Sequence, residues 1–173
     1  MLIIFTGNGK GKTTAALGQA LRAVGDGRKV LMVQFIKGPW KSGEDSSCKK
    51  LEPEFRIVKM GKGFVGIGND ALPFEEHRRA AQVALGYARA EAASRKWDIV
   101  ILDEIWNALK LGLLTDPEVQ EFIDAHVPAL ENVIMTGRGC PKKFIDQAGL
   151  VTEMKEIKHP FSAGVPGKKG LEF

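Results

Sequence analysis

The first sixteen residues constrain this chain more than any other stretch. Leu2-Ile3-Ile4-Phe5 is a short apolar run, Thr6 to Gly11 is rich in glycine, and Lys12-Thr13-Thr14-Ala15-Ala16 opens a segment with apolar residues at helical spacing. A buried strand that turns through a glycine loop into a helix is a cradle for phosphate. Gly7, Gly9 and Gly11 leave room for the backbone N–H groups of Gly7, Asn8, Gly9, Lys10, Gly11, Lys12, Thr13 and Thr14 to converge on one anion. The helix N-terminus adds positive potential, Lys12 brings a mobile ammonium, and Thr13 offers a hydroxyl to a magnesium ion. Position 6 is threonine where the common form of such loops has glycine. The loop is a variant of the type.

The rest of the chain places this loop in an α/β fold. Lys12 to Val24 carries Ala15, Ala16, Leu17, Ala20, Leu21 and Val24 at helical spacing, and Gly25-Asp26-Gly27 stops it. Val30 to Ile36 reads as a second strand of a parallel sheet, apolar on both faces. Lys41 to Lys50 reads as a polar surface loop, and Phe55 to Met60 as a short alternating strand. Gly61 to Asp70 holds Gly61, Gly63, Gly66 and Gly68 around Phe64, Val65 and Ile67, too much glycine for an element interior and too apolar for a solvated linker. We read it as a binding loop or lid. Pro73 to Trp97 is a long alanine-rich helix, Asp98 to Glu104 a buried strand ending in Asp103-Glu104, and Asp116 starts a helix with Pro117 at its first position. Asn132 to Met135 and the stretch from Leu150 are further strands. The expected architecture is a single domain over residues 1–173, a three-layer P-loop NTPase fold of RecA-like type with a mostly parallel central sheet.

Composition narrows the setting. The 173 residues are 44% hydrophobic and 27% charged, those of a globular domain. The formal charge is +4, but lysines such as Lys37, Lys41, Lys142 and Lys168 are dispersed among acids, which suits a small anionic ligand and argues against nucleic acid. Cys48 and Cys140 are the two cysteines and have no metal or disulfide spacing. With no apolar run of the ~18 residues that cross a bilayer, the expectation is a cytoplasmic protein without a membrane partner.

Two strands carry the chemistry. In parallel sheets the C-terminal ends of the strands share one crevice, so Asp103 and Glu104 can meet a metal held by Thr13. Arg138 in Thr136-Gly137-Arg138-Gly139 is a further candidate for phosphate, since a strand-terminal loop points at the crevice. This chemistry serves several reactions. A small-molecule kinase and a nucleotide-dependent binding module of RecA type use the same parts.

The motifs together resemble one family. Thr6 to Ala16, Arg22 to Gly25, Val33-Gln34-Phe35-Ile36-Lys37-Gly38, Leu102-Asp103-Glu104, Thr136 to Gly139 and Lys158-His159-Pro160-Phe161 follow in the order typical of the ATP:corrinoid adenosyltransferases. The resemblance implies transfer of the 5′-deoxyadenosyl group of ATP to a reduced Co(I) corrinoid, with release of tripolyphosphate, in the synthesis or salvage of adenosylcobalamin. It implies that Gly7 to Thr14, with Arg22 and Arg138, bind ATP in the sense reverse to ordinary P-loop enzymes, matching Thr6 in the loop. Lys12, Thr13 and Glu104 would be catalytic, and Thr13, Asp103 and Glu104 would hold Mg²⁺ or Mn²⁺. A flavoprotein reductant and a homodimer are implied as well. Phe64, Val65 and Ile67 would contact the corrinoid, with Gly66 where family members often carry a tryptophan.

Overall fold

The computed structural model describes residues 1–38, 40–66, 70–160, 164 and 166–171. Six parallel strands make one sheet: β1 (Leu2–Thr6), β2 (Val30–Gln34), β3 (Phe55–Lys59), β4 (Ile99–Asp103), β5 (Asn132–Thr136) and β6 (Leu150–Glu153), in the order β3-β2-β4-β5-β1-β6. The α/β P-loop NTPase fold expected from the sequence is present, and every pairing among these strands is parallel. The phosphate-loop strand β1 is separated from the acid-bearing strand β4 by β5. That spacing puts the end of β5 between loop and acids.

Alternation along the central strands divides the core. Ile3, Phe5, Val30, Met32, Ile99, Ile101 and Ile134 face Ala16 and Ala20 of α1 (Lys12–Gly25), together with Cys48 of α2 (Gly43–Cys48). Leu2, Ile4, Leu31, Val33, Val100, Leu102, Val133 and Met135 face the other way. They pack on α3 (Phe74–Ala93), α4 (Ile105–Lys110), α5 (Asp116–His126) and Phe144 of α6 (Lys142–Ile145). The alanines of α3 explain the close approach of that helix: Ala81, Ala84 and Ala88 have no exposed surface. Among the described residues, no helix is long and apolar enough to cross a membrane.

Several local readings need correction. The stretch Lys41 to Lys50 is not simply a loop, because Ser42 and Asp45 form a capping box that starts α2, and a 3-10 turn over Lys49–Leu51 follows. Glu44 and Asp45 in the first turn suit the helix dipole. The strand from Val30 stops at Gln34, not Ile36, and beyond it the Ile36 carbonyl accepts the Gly63 N–H of the glycine-rich segment. The long helix spans Phe74–Ala93, inside its expected limits of Pro73 and Trp97. The helix at Asp116 forms as its sequence suggests, with a second capping box between Thr115 and Glu118.

Candidate functional site

The loop after β1 is shaped by close contact with β6. Gly9 donates its N–H to Met154 O at 2.7 Å, and Met154 donates to Thr6 O at 2.8 Å. A Cβ on Gly9 would lie 2.8 Å from Lys155 O and from Met154 O, and Gly7, at φ 97°, would press on the Met154 backbone. Gly11 takes φ 113° and leads into α1, whose Ala15 N–H closes the first turn on Gly11 O at 2.7 Å. These glycines are demanded by space and torsion. A cavity of about 880 Å³ opens above the loop.

The cavity is lined on one side by Gly9, Lys10, Gly11, Lys12, Thr13 and Thr14, with Glu104 and Arg138 beside them. Lys12 is almost fully buried, and its ammonium donates to Gly9 O at 2.6 Å. Burial pushes its pKa down and the nearby Arg138 adds to that, while Glu104 and Asp103 oppose the shift. An anion entering the loop offers this ammonium a better partner than a carbonyl.

Asp103 ends β4 with no exposed surface, yet every side of it is occupied. Thr13 Oγ1 donates to Oδ1 at 2.9 Å, Thr136 Oγ1 to Oδ1 at 2.7 Å, and Gln34 Nε2 to Oδ2 at 2.9 Å. The register sets this up, because Gln34 on β2 lies opposite Asp103 on β4. Thr136 reaches it from the end of β5 and accepts the Glu104 N–H at 2.9 Å. Gln34 Oε1 is left buried without a partner. The sequence pointed to Asp103 but missed Gln34 and Thr136 as its holders; their places opposite it in a parallel sheet were the available signal.

Glu104 differs from its neighbour. It sits at φ 65°, in the left-handed region, which turns its side chain out of the strand and into the cavity. Burial first, and then the charge of Asp103, push its pKa up to about 7, with Lys12, Lys37 and Arg138 pulling the other way. A carboxyl with so little compensation is a ready partner for a cation. Thr13 completes a suitable donor set: its proton is committed to Asp103, which leaves oxygen lone pairs facing outward.

The lining also includes Lys37, Leu17 of α1, Gly43, Glu44 and Ser47 of α2, and Glu156, His159, Gly170 and Leu171. Lys37 Nζ lies 2.6 Å from Glu44 Oε1. Glu44 is raised by burial but more strongly lowered by Lys37 and by hydrogen bonds, so its pKa falls below the usual range.

Other expected residues are distributed differently. Arg138 is on the rim, with its N–H accepted by Asn107 Oδ1. Gly7 and Asn8 shape the loop without lining the cavity, and Arg22 is exposed on α1 away from the lining residues. Phe64 is 66% exposed and also lies outside that lining; its ring centroid is 6.1 Å from that of Trp40, itself 61% exposed. Val65 packs against the core, and Ile67 and Phe161 fall outside the described residues. Gly63 N–H donates to Ile36 O at 3.0 Å, which ties the start of the glycine-rich segment to the chain just before Lys37. Trp40 was not anticipated from sequence, since it comes from a separate segment.

The model of the family described as ATP:corrinoid adenosyltransferase BtuR/CobO/CobP matches residues 1–173. Similar proteins include the corrinoid adenosyltransferase of Escherichia coli K12, 39% identical over all of this chain and 85% of its own length. Corrinoid adenosyltransferase CobA of Salmonella typhimurium LT2 is 38% identical, again over all of this chain and 85% of its own length. Among solved structures, the flagellar accessory protein FlaH of Methanocaldococcus jannaschii shares the fold, with a TM-score of 0.56 at 12% identity over 88% of this chain and 69% of its own.

Proposed function

The chain belongs to the ATP:corrinoid adenosyltransferase family, and from that premise we propose that it transfers the 5′-deoxyadenosyl group of ATP to a Co(I) corrinoid and releases tripolyphosphate. The observation that carries this reading is a cavity lined by the glycine loop, Lys12, Thr13, Glu104 and Lys37, and it is supported by an exposed aromatic pair, Trp40 and Phe64, outside that lining. Phosphates have a cradle and a flat macrocycle has a platform.

In this reading the backbone from Gly7 to Thr14 wraps the triphosphate, and Lys12 leaves Gly9 O to neutralise it. Arg138 on the rim faces the same charge, and Lys10 adds to it. Arg22 would reach the nucleotide only from its exposed place on α1. The deoxyadenosyl end lies toward Lys37, Glu44 and Ser47, because C5′ must meet cobalt and the aromatic loop is hydrogen-bonded beside that end. This runs the triphosphate back toward Lys10 and Glu156.

Co(I) is a nucleophile with an available electron pair and no proton to lose. Its pair forms the Co–C5′ bond, and the C5′–O5′ pair departs on the triphosphate oxygen. The protein therefore has two tasks, alignment and acceptance of charge. Lys12 and the converging N–H groups serve the second, in a site where the low dielectric strengthens each contact. Thr13 and Glu104 fit a Mg²⁺ or Mn²⁺ ion, with Asp103 orienting Thr13 through its hydrogen bond. When bound, that ion supplies further neutralisation of the departing triphosphate. Phe64 and Val65, with Ile67, form the corrinoid contact, and Trp40 supplies an aromatic face despite Gly66. A homodimer, a flavoprotein reductant and a cytoplasmic setting belong to this proposal on family resemblance alone.

The test is formation of a light-sensitive Co–C bond from ATP, Mg²⁺ and chemically reduced corrinoid. Lys12→Met should lower the rate by about 100-fold or more, as loss of a charge-assisted contact to the leaving group requires. Wild-type protein that turns over ATP without forming the bond would refute the proposal.

A further inference from the structure

A hydrogen-bonded pair at the end of the glycine-rich loop, Asp70 and the buried His77, has no part in the mechanism above. Asp70, just before α3, accepts the Gly66 N–H on Oδ2 at 2.7 Å and the Leu72 N–H on Oδ1 at 3.2 Å. His77 Nε2 lies 3.1 Å from both carboxylate oxygens. His77 is 3% exposed, on the first turns of α3 among the alanines that fix this helix to the sheet. The donors hold the Asp70 carboxyl below its ordinary range, with the Gly66 N–H contributing most. A carboxylate so surrounded is a fixed point.

The opposite end of the loop is fixed by different means. Gly61 lies against the Ile36 backbone, and Gly63 N–H donates to Ile36 O at 3.0 Å. The Trp40 ring lies over Gly63 and Gly38, where a Cβ would come within 2.6 and 2.8 Å of it. Phe64 and Val65 thus sit between two anchors, one of packed glycine and aromatic surface, the other of Asp70 and His77. Glycine-rich backbone loses more conformational entropy on ordering than other sequence. An anchor that orders it in advance removes part of that cost from ligand binding.

We infer that Asp70, gripped by the buried His77, is the positioning residue of the loop that presents Phe64 and Val65 to the corrinoid. The inference rests on the reading of those two residues as corrinoid contacts. It separates the two substrates, since Asp70 and His77 do not line the cavity assigned to ATP. The carboxylate acts through the Gly66 N–H and touches neither substrate.

The experiment compares Asp70→Ala, Asp70→Asn, His77→Gln and Phe64→Ala in steady-state adenosyl transfer, with hydrogen exchange followed over residues 61–66. For Asp70→Ala the expected result is a corrinoid KM raised about tenfold, an ATP KM within about twofold of wild type, and faster exchange in that segment. His77→Gln retains a donor toward Asp70 and should keep most of the corrinoid affinity. Should Asp70→Ala fail to fold, Asp70→Asn keeps the shape and carries the same test. Faster exchange with an unchanged corrinoid KM would overturn the inference, as would equal changes in both KM values. An unchanged corrinoid KM in Phe64→Ala would also overturn it, by removing its premise while leaving adenosyl transfer intact. If wild-type protein forms no Co–C bond, the proposed function itself has failed, a result distinct from all of these.

Discussion

Glu104→Gln should make the metal-free protein more stable above neutral pH, although it removes a residue from the heart of the site. Burial, and next the charge of Asp103, raise the Glu104 pKa from 4.5 to about 7. The folded state therefore prefers the protonated form, and ionising it costs folding free energy. A shift of that size corresponds to at most ~3.5 kcal/mol, at ~1.4 kcal/mol per unit. The sign follows from proton linkage. Below about pH 4.5 the side chain is protonated in both folded and unfolded chains, and glutamine gains nothing. Between that pH and about 7 the folded wild type binds the extra proton, so its stability falls as pH rises. Above about 7 the full penalty is present. Glutamine, neutral and of the same shape, removes it, and the φ of 65° at this position is the same strain for both residues. Urea unfolding in chelator, from acid to pH ~8, reads the difference directly. The gap between variant and wild type should open from near zero to a few kcal/mol across this window. A gap independent of pH would refute the assignment of Glu104 as an uncompensated buried carboxyl. With Glu104 in the proposed role of metal ligand, added Mg²⁺ should reverse the order.

Further outcomes follow from the same geometry. Gly9→Ala should cost ~1–3 kcal/mol in denaturant unfolding and weaken ATP binding, because its Cβ meets the Met154 and Lys155 backbone at 2.8 Å; wild-type stability would show that β6 yields freely. Cys140 and Cys48 should both alkylate far more slowly than free cysteine at pH ~8, as burial pushes their thiols up to about 12 and about 11. Labelling of Cys140 at the rate of a free thiol would contradict its placement. Thr115→Ala should cost ~1 kcal/mol by removing the capping box with Glu118, and a neutral result in thermal unfolding would contradict that local account.

The strand, loop and helix at the N-terminus were legible because their signals are local: apolar run, glycines, then helical spacing. Asp103-Glu104 was legible because a buried strand ending in two acids has few uses. The different fates of those two acids were not, since they depend on neighbours brought by register. Gln34 and Thr136 saturate Asp103, while Glu104 turns into the cavity at positive φ. The helix over Gly43–Cys48 was hidden by its polar composition, and its start lies in a capping box rather than in apolar periodicity. Glu44 and Ser47, which line the cavity from that helix, were hidden with it. Arg22 illustrates the converse, a residue marked by resemblance that the fold leaves exposed beyond the cavity wall. Gly66 in the place of a tryptophan looked like a missing aromatic, but Trp40 arrives beside Phe64 from another segment. Only the fold brings those two rings together.

The most direct measurement is phosphorus NMR of the products when the protein, Mg²⁺, ATP and a chemically reduced corrinoid react in the dark. The expected result is tripolyphosphate appearing in step with the Co–C bond, one for one, with no ADP. Appearance of ADP with orthophosphate or a phosphorylated acceptor would contradict the claim that this loop grips the leaving group.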